Sequence, residues 1–214
     1  MLKEEINNSI KYWNKVHENY SRDDITYYDW LKEFTSIIKE CHTPILDLGC
    51  GSGNNTLFLT NNNKKVIACD LSENAIKNIK KNFPEIMDAK CLNMLEGLPF
   101  PDNSFEVIIA DLSLHYFTRE DTMKVLKDLD RILKKDGHIM IRVNSINDIN
   151  HGAGQGKEIE HHLYETEDGR LKRFFDEEDI KEFFHEFQIE YMKEEVMTRY
   201  KLEKKLYRIC LKKR

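Results

Sequence analysis

One stretch of sequence decides the fold: Asp47-Leu48-Gly49-Cys50-Gly51-Ser52-Gly53. The apolar run at 44–48 leads into it, which predicts a buried strand that turns sharply into a helix. A turn of this kind needs glycine where the backbone is left-handed or passes close to a ligand. The N–H groups at the start of the following helix can bind a polar group of that ligand. We therefore predict a cofactor-binding loop at residues 47–53.

The spacing of the glycines excludes a dinucleotide loop, whose fingerprint is G-x-G-x-x-G. Begun at Gly49, that motif would place Asn54 at its last position. Begun at Gly51, it would place Thr56 there. Asp47 would also repel a pyrophosphate, so it indicates a ligand that carries a cation. The ammonium group of S-adenosylmethionine fits this requirement, bound directly or through water.

Strands and helices alternate after the loop. The apolar patterns predict strands at 65–69, 89–92, 105–110 and 137–143, and helices at 72–82, 118–134 and 176–186. Such alternation implies parallel strands, right-handed crossovers and helices on both faces of one sheet. The final strands, 188–197 and 205–211, are joined too tightly for a parallel crossover. The last strand is therefore expected to be antiparallel. Amphipathic helices at 6–20 and 28–38 precede the sheet.

Polar residues follow the ends of the second and third strands. Asp70 stands 23 residues after Asp47 and can accept both hydroxyls of a ribose. A role as a helix cap is the alternative, but Ser72 already fills that role. Asn93 and Met94 suit an adenine ring, with an amide or backbone N–H at its edge and the thioether on its face.

The fourth strand ends at Asp111, beside the predicted loop in a doubly wound sheet. His115 follows and is a candidate general base near neutral pH. The alternative is a histidine that only packs beneath the turn. The catalytic residues are therefore unassigned, with His115 and Asp111 as the candidates.

Five motifs in sequence order together resemble those of class I S-adenosylmethionine-dependent methyltransferases. They are Asp47-Leu-Gly-Cys-Gly-Ser-Gly53, Cys69-Asp70-Leu-Ser, Leu98-Pro-Phe-Pro-Asp-Asn-Ser-Phe105, Leu112-Ser-Leu-His115-Tyr116 and Arg131-Ile-Leu-Lys-Lys-Asp-Gly137. The resemblance spans 45–143. It implies an α/β fold with a Rossmann-like, doubly wound seven-stranded sheet of order 3-2-1-4-5-7-6, strand 7 antiparallel, and direct methyl transfer. Asn93 departs from the acid common in the family, and Lys135-Asp136-Gly137 departs from its Pro-Gly-Gly turn.

Within that superfamily, the chain resembles the small-molecule branch, methyltransferase type 11 and tellurite-resistance-like enzymes. The features that carry this resemblance are Tyr12-Trp13 in a short N-terminal helix and the compact size. The cofactor is then S-adenosylmethionine and the product S-adenosylhomocysteine. The predicted cofactor-binding residues are Asp47, Gly49, Cys50, Gly51, Gly53, Asn55, Asp70, Leu71, Asn93, Met94, Asp111 and Leu112. Aromatic residues form either the acceptor pocket or a seam of helices on the sheet: Tyr12, Trp13, Tyr20, Tyr27, Tyr28, Tyr116 and Tyr164.

The chain is expected to be a single domain, 1–214, with an N-terminal helical cap at 1–40. The segment 144–172 has little periodicity and four glycines. A connection this long is functional or disordered, so we expect either a lid over the substrate or a passive mobile insertion.

Composition limits the partners. The 214 residues carry a net charge of −5, which argues against a broad nucleic-acid surface. Five cysteines without a Cys-x-x-Cys pair and no run of ~18 apolar residues favour a cytoplasmic protein without a membrane partner, monomeric or homodimeric. His161 and His162 are adjacent, so no metal site is predicted. A small-molecule methyltransferase is the favoured function. A nucleoside-binding regulatory protein without turnover and an RNA methyltransferase are the alternatives.

Overall fold

A seven-stranded sheet forms the centre of the computed structural model, which describes residues 3–18, 20–25 and 29–214. The strands are β1 (Ile45–Leu48), β2 (Val66–Asp70), β3 (Asp88–Cys91), β4 (Phe105–Asp111), β5 (Leu133–Asn144), β6 (Lys157–Glu160), β7 (Leu163–Glu165), β8 (Leu171–Arg173), β9 (Gln188–Met197) and β10 (Lys204–Lys212). The large sheet has the order β3-β2-β1-β4-β5-β10-β9. Strand β10 is antiparallel to β5 and β9, whereas β1 to β5 are parallel. The predicted order and the antiparallel last strand are confirmed.

Six α-helices cover the sheet: α1 (Lys3–Val16), α2 (Thr35–Glu40), α3 (Asn54–Asn61), α4 (Glu73–Asn82), α5 (Arg119–Ile132) and α6 (Glu177–Phe183). The first residues of three predicted helices, Ser72, Thr118 and Asp176, act as N-caps. Ser72 Oγ accepts from the Ala75 N–H at 3.1 Å, and Thr118 and Asp176 cap α5 and α6 in the same way. Each cap satisfies a backbone donor that the first helical turn leaves free.

The core has two main layers, one on each face of the sheet. Residues of α5 and α6 pack with Leu46 and Leu48 on one face. Residues of α2 and α3 pack with Ile45 on the other face. All four side chains of β1 are fully buried, which explains why this strand is apolar apart from Asp47.

Several predicted element boundaries are wrong. The helix predicted at 6–20 ends at Val16, and the one predicted at 176–186 ends at Phe183. The helix predicted to reach 134 ends at Ile132, and β5 begins at once. Asp136 has a φ of 61°, so the predicted Asp-Gly turn lies inside β5, where the register to β4 shifts. The helix predicted at 28–38 is a 3₁₀-helix, Trp30–Phe34, followed by α2. Tyr28 lies outside the described residues.

The segment predicted as the loop 144–172 contains regular secondary structure. After a 3₁₀-helix, Ile149–His151, it forms the antiparallel sheet β6-β7-β8, which we call the lid sheet after its predicted role; that role stays a prediction. Buried Leu163 and Leu171 give it a small core. The Arg173 N–H donates to the His115 carbonyl at 2.7 Å, which joins the lid sheet to the segment after β4. Strands of three or four residues are too short to show a period in sequence.

No helix within the described part of the chain is long and apolar enough to cross a membrane.

Candidate functional site

A pocket of about 620 Å³ opens at the carboxyl ends of β1, β2 and β4. Ligands of doubly wound sheets bind at this edge. Helix α1 and the lid sheet also line the pocket. The pocket is lined by every predicted cofactor-binding residue except Asp47 and Gly53: Gly49, Cys50, Gly51, Asn55, Asp70, Leu71, Asn93, Met94, Asp111 and Leu112. The sequence motifs are therefore brought together by the fold.

Gly53 supports the loop from behind. Its φ is 92°, and a Cβ atom there would lie 2.6 Å from the Phe83 ring. Gly49 has a φ of 80°, and a Cβ atom there would lie 2.4 Å from Ser113 Cβ. Both positions need glycine, because a side chain would be strained and would also collide with a neighbour. The loop is thus pressed against the segment after β4.

Asp47 is fully buried behind the pocket wall. Its carboxylate accepts hydrogen bonds from Thr56 Oγ1 at 2.7 Å and from Asn55 Nδ2 at 3.4 Å. Burial raises the pKa of Asp47 to about 7, although the bonds from Thr56 and Asn55 oppose the shift. The predicted partnership with an ammonium group therefore has to run through Asn55 or water.

Asn55 links the two acids of the site. Its Nδ2 also lies 3.4 Å from Asp111 Oδ2, and its Oδ1 accepts from Trp30 Nε1 at 2.9 Å. The indole bond fixes which end of the amide is the donor. Asp47 and Asp111 therefore face the same amide group from opposite sides.

Asp111 is held by a bidentate ion pair with Arg142. The Nε–Oδ1 and Nη2–Oδ2 distances are 2.7 and 2.8 Å. The guanidinium of Arg142 is fully buried, 4.7 Å from the centre of the Trp30 ring. Both carboxylate oxygens of Asp111 are thus engaged in charge-assisted hydrogen bonds, which argues against a role as a free base. Arg142 was missed in sequence, although a lone charge inside the apolar run 139–143 was a signal.

Asp70 remains able to bind a hydroxylated ligand. Its Oδ2 accepts from the Gly51 N–H at 2.8 Å, and its Oδ1 accepts from the Ser72 N–H at 2.9 Å. Burial raises its pKa, while these two bonds and His17 oppose the rise. Each carboxylate oxygen can accept a further hydrogen bond, as the predicted contact with a ribose requires.

Asn93 uses its side chain within its own turn. Its Oδ1 accepts from the Leu95 N–H at 3.1 Å, and its Nδ2 donates to Glu96 Oε1 at 3.2 Å. It therefore caps the 3₁₀-helix Met94–Glu96. One amide hydrogen is left for the predicted adenine contact.

Helix α1 covers the loop. His17 Nδ1 lies 3.1 Å from Ser52 Oγ, and Ser72 Oγ donates to Asn14 Oδ1 at 2.9 Å. Trp13 packs edge-on against Tyr116 with ring centres 5.5 Å apart. Sequence reasoning missed His17, which stands one helical turn after Trp13 and shares its face of the helix.

His115 is almost fully buried, with 1% of its surface exposed. Its Nδ1 has no hydrogen-bond partner among the described residues. Burial, and then the charges of Lys204 and Lys172, lower its pKa well below the usual value. The imidazole is therefore neutral at pH 7 and a weak base, which argues against the predicted catalytic role.

The aromatic candidates divide into two groups. Tyr12, Trp13, Tyr20 and Tyr116 line the pocket. Tyr164 does not line it and packs on Phe174, with ring centres 6.0 Å apart. Tyr27 and Tyr28 lie outside the described residues.

His161 and His162 do come together with Asp179, with potential ligand atoms within 4.8 Å. However, His162 Nδ1 already lies 2.7 Å from Asp179 Oδ2, and the same oxygen accepts from the Asp176 N–H at 3.1 Å. Hydrogen bonds within the protein therefore already engage His162 and Asp179. The expectation of no metal site stays a prediction.

The sequence of the central part of the chain matches a known protein family. Residues 46–141 match the family described as "Methyltransferase domain". These residues form a class I S-adenosylmethionine-dependent methyltransferase domain. A malonyl-(acyl-carrier protein) O-methyltransferase of Halorhodospira halophila is 28% identical over 139 residues, which are 64% of this chain and 44% of that protein. The chain thus spans less than half of that relative.

Two further comparisons cover more of the chain. A tRNA N(3)-methylcytidine methyltransferase of Schizosaccharomyces pombe is 29% identical over 193 residues, 80% of this chain and 76% of that protein. A solved S-adenosylmethionine-dependent methyltransferase of Anabaena variabilis superposes with a TM-score of 0.70 at 21% identity, covering 98% of this chain and 95% of its own. At that identity the likeness shows the fold. The methyltransferase domain thus has relatives that differ in substrate.

Proposed function

We propose that the protein transfers a methyl group from S-adenosylmethionine to a small molecule. One observation carries this proposal: a single pocket joins the cofactor loop to the lid sheet. A donor bound at the loop would have its reactive end inside the same pocket as an acceptor. Holding both reactants in one place and orientation is the main contribution a protein can make to such a transfer.

The lining residues fit the parts of S-adenosylmethionine. Asp70 would accept the ribose hydroxyls, and Leu71 and Met94 would contact the adenine. Asn55, backed by Asp47, lies where a polar side chain can meet the amino-acid portion. When bound, the cofactor supplies an activated methyl group, so the chemistry does not depend on a strong protein base.

The surroundings of the two candidate bases, Asp111 and His115, also favour a transfer that does not depend on a protein base. Asp111 is paired with Arg142, and His115 is buried with a lowered pKa. The acceptor would then be an atom that is nucleophilic without losing a proton to the protein. The role of these residues would be to shape the pocket and exclude water.

Calorimetry tests cofactor binding. We expect micromolar affinity for S-adenosylmethionine and S-adenosylhomocysteine, and at least a tenfold loss in Asp70→Asn, because an amide accepts only one of the two ribose hydroxyls well. The exposed Asp23→Asn serves as the matched control and should bind normally. No heat with either ligand would refute the proposal.

Turnover is tested separately with labelled S-adenosylmethionine and a panel of metabolites. Label in any small acceptor supports an enzyme. Cofactor binding without label in any acceptor would instead support the regulatory, non-catalytic alternative.

A tRNA substrate is the second candidate, since the S. pombe relative matches 80% of the chain. The test is transfer of label to a pool of unmethylated tRNA at low and high salt. Binding to a phosphate backbone weakens steeply as salt rises. Label in tRNA and in no small molecule would favour this candidate over the first.

A further inference from the structure

Four cationic side chains line the pocket. Arg170 lies in the turn between β7 and β8, and Lys172 lies in β8. Arg199 lies between β9 and β10, and Lys204 is the first residue of β10. We call these four residues the basic wall. They are distant in sequence but face one cavity, in a chain whose net charge is −5.

Two of the four cations form ion pairs with other described residues. Lys204 Nζ lies 2.8 Å from Asp148 Oδ2, and Arg170 Nη2 lies 2.8 Å from Asp168 Oδ2. Lys172 Nζ donates to the His151 carbonyl at 2.5 Å. Within the described ranges, neither Lys172 nor Arg199 has an ion-pair partner.

Lys172 is held in an unfavourable environment. Burial and then the charge of Lys204 lower its pKa to about 8, with Arg170 adding to the repulsion and Asp148 opposing it. A half-buried cation beside other cations costs free energy unless an anion joins them. Perturbed groups of this kind in a cleft mark functional sites.

We propose that the basic wall binds a carboxylate or phosphate group of the methyl acceptor. This inference rests on the proposed function and narrows it to small anionic acceptors. Tyr12 and Tyr116 line the same space, and the Arg170 guanidinium stacks 3.4 Å above the Tyr12 ring. These rings offer an apolar surface for the body of the acceptor.

The placement of the cations favours a small anion over a nucleic acid. Lys172 is half-buried and Lys204 buried, inside a cavity that also holds the cofactor loop. An RNA backbone is bound by cations spread along an open surface. An RNA ligand is accordingly an outcome that would contradict the inference.

The probes are benzoate, inorganic phosphate and the neutral benzamide, titrated into protein saturated with S-adenosylhomocysteine. We expect the wild type to bind at least one of the two anions, and to bind benzamide at least tenfold more weakly than benzoate. We expect Lys172→Met to weaken the binding of the anion at least tenfold. The matched control is Lys193→Met, an exposed lysine of β9 that does not line the pocket. A preference for benzoate or for phosphate assigns the acceptor group.

S-adenosylhomocysteine binding reports whether each variant is folded. If Lys172→Met does not bind S-adenosylhomocysteine, the anion titration is repeated with Arg199→Gln. If the wild type does not bind it, the proposed function fails, and the anion titration without it still tests the basic wall. Equal binding of benzoate and benzamide, or equal losses in Lys172→Met and Lys193→Met, would overturn the inference. Binding of tRNA, with neither small anion bound, would overturn it as well.

Discussion

Replacing Asp47 by asparagine should stabilise the protein without ligand, and more so at high pH. Burial raises the pKa of Asp47 from 3.8 to about 7. At 1.36 kcal/mol per pKa unit, an ionised Asp47 costs the folded state about 4 kcal/mol at pH 8. Between these pKa values the folded state binds a proton that the unfolded state lacks, so the stability of the wild type falls as pH rises. Asparagine removes this dependence.

The change with pH in the stability difference between Asp47→Asn and wild type tests the raised pKa more directly than the difference at one pH. At pH 5 the same linkage gives a cost of only about 1–2 kcal/mol, so the gap between Asp47→Asn and wild type should widen by about 2–3 kcal/mol from pH 5 to pH 8. The new amide faces Asn55, whose orientation is fixed by Trp30. The resulting loss of a hydrogen bond, about 1 kcal/mol, is nearly the same at both pH values and cancels.

Urea unfolding at pH 5 and pH 8, followed by tryptophan fluorescence, measures this gap. The exposed Asp23→Asn is the control and should show the same stability difference at both pH values. A gap for Asp47→Asn that does not change with pH would refute the assignment of a raised pKa to Asp47.

The same carboxylate provides a second measurement. Near pH 7 Asp47 is about half protonated, and a cationic ligand group nearby would favour its ionised form. Binding of S-adenosylhomocysteine should therefore release up to about half a proton. Calorimetry in two buffers with different ionisation enthalpies detects this release, and Asp47→Asn should abolish it. Identical heats in the two buffers for the wild type would contradict the coupling.

Three further outcomes are expected. Arg142→Met should destabilise the protein by about 3–5 kcal/mol in urea unfolding, because it leaves Asp111 partly buried without its ion-pair partner. The double variant Arg142→Met with Asp111→Asn should recover part of this lost stability. The imidazole signal of His115, assigned by its absence in His115→Gln, should not titrate between pH 6 and pH 8 in an NMR experiment, since its pKa is well below 6.5. Gly49→Ala should cost at least about 1–2 kcal/mol of stability from the left-handed backbone alone, and adding Ser113→Gly should recover only the part due to the steric clash.

The architecture could be predicted from sequence because its signals are local. The N-caps at Ser72, Thr118 and Asp176 mark helix starts through hydrogen bonds to residues three positions away. The short turn between β9 and β10 fixes their antiparallel pairing. The lid sheet could not be predicted, because its three-residue strands owe their stability to buried contacts with residues distant in sequence, such as the bond from Arg173 to His115.

The cofactor side of the site was also predictable, since its residues follow strand ends in a known order. What sequence could not show is which of these groups are already paired. Asp111 was a candidate base until the structure placed Arg142 against it. Asp47 does not line the pocket, whereas Asn55, which donates to it, does; the predicted role of Asp47 stays a prediction. Pairing of this kind depends on the distance between strands, which no spacing along the chain encodes.

The charges of the pocket suggest why donor and acceptor would be held in one relative orientation. Asp70 is the acid beside the cofactor loop that lines the pocket, whereas Lys172 and Arg199 give the basic wall a positive charge. A cationic donor and an anionic acceptor would each be repelled from the wrong end. Their reactive atoms would then meet between these two regions of the pocket. Orientation by opposed fields requires no catalytic base, which agrees with a site whose two base candidates are either paired or buried.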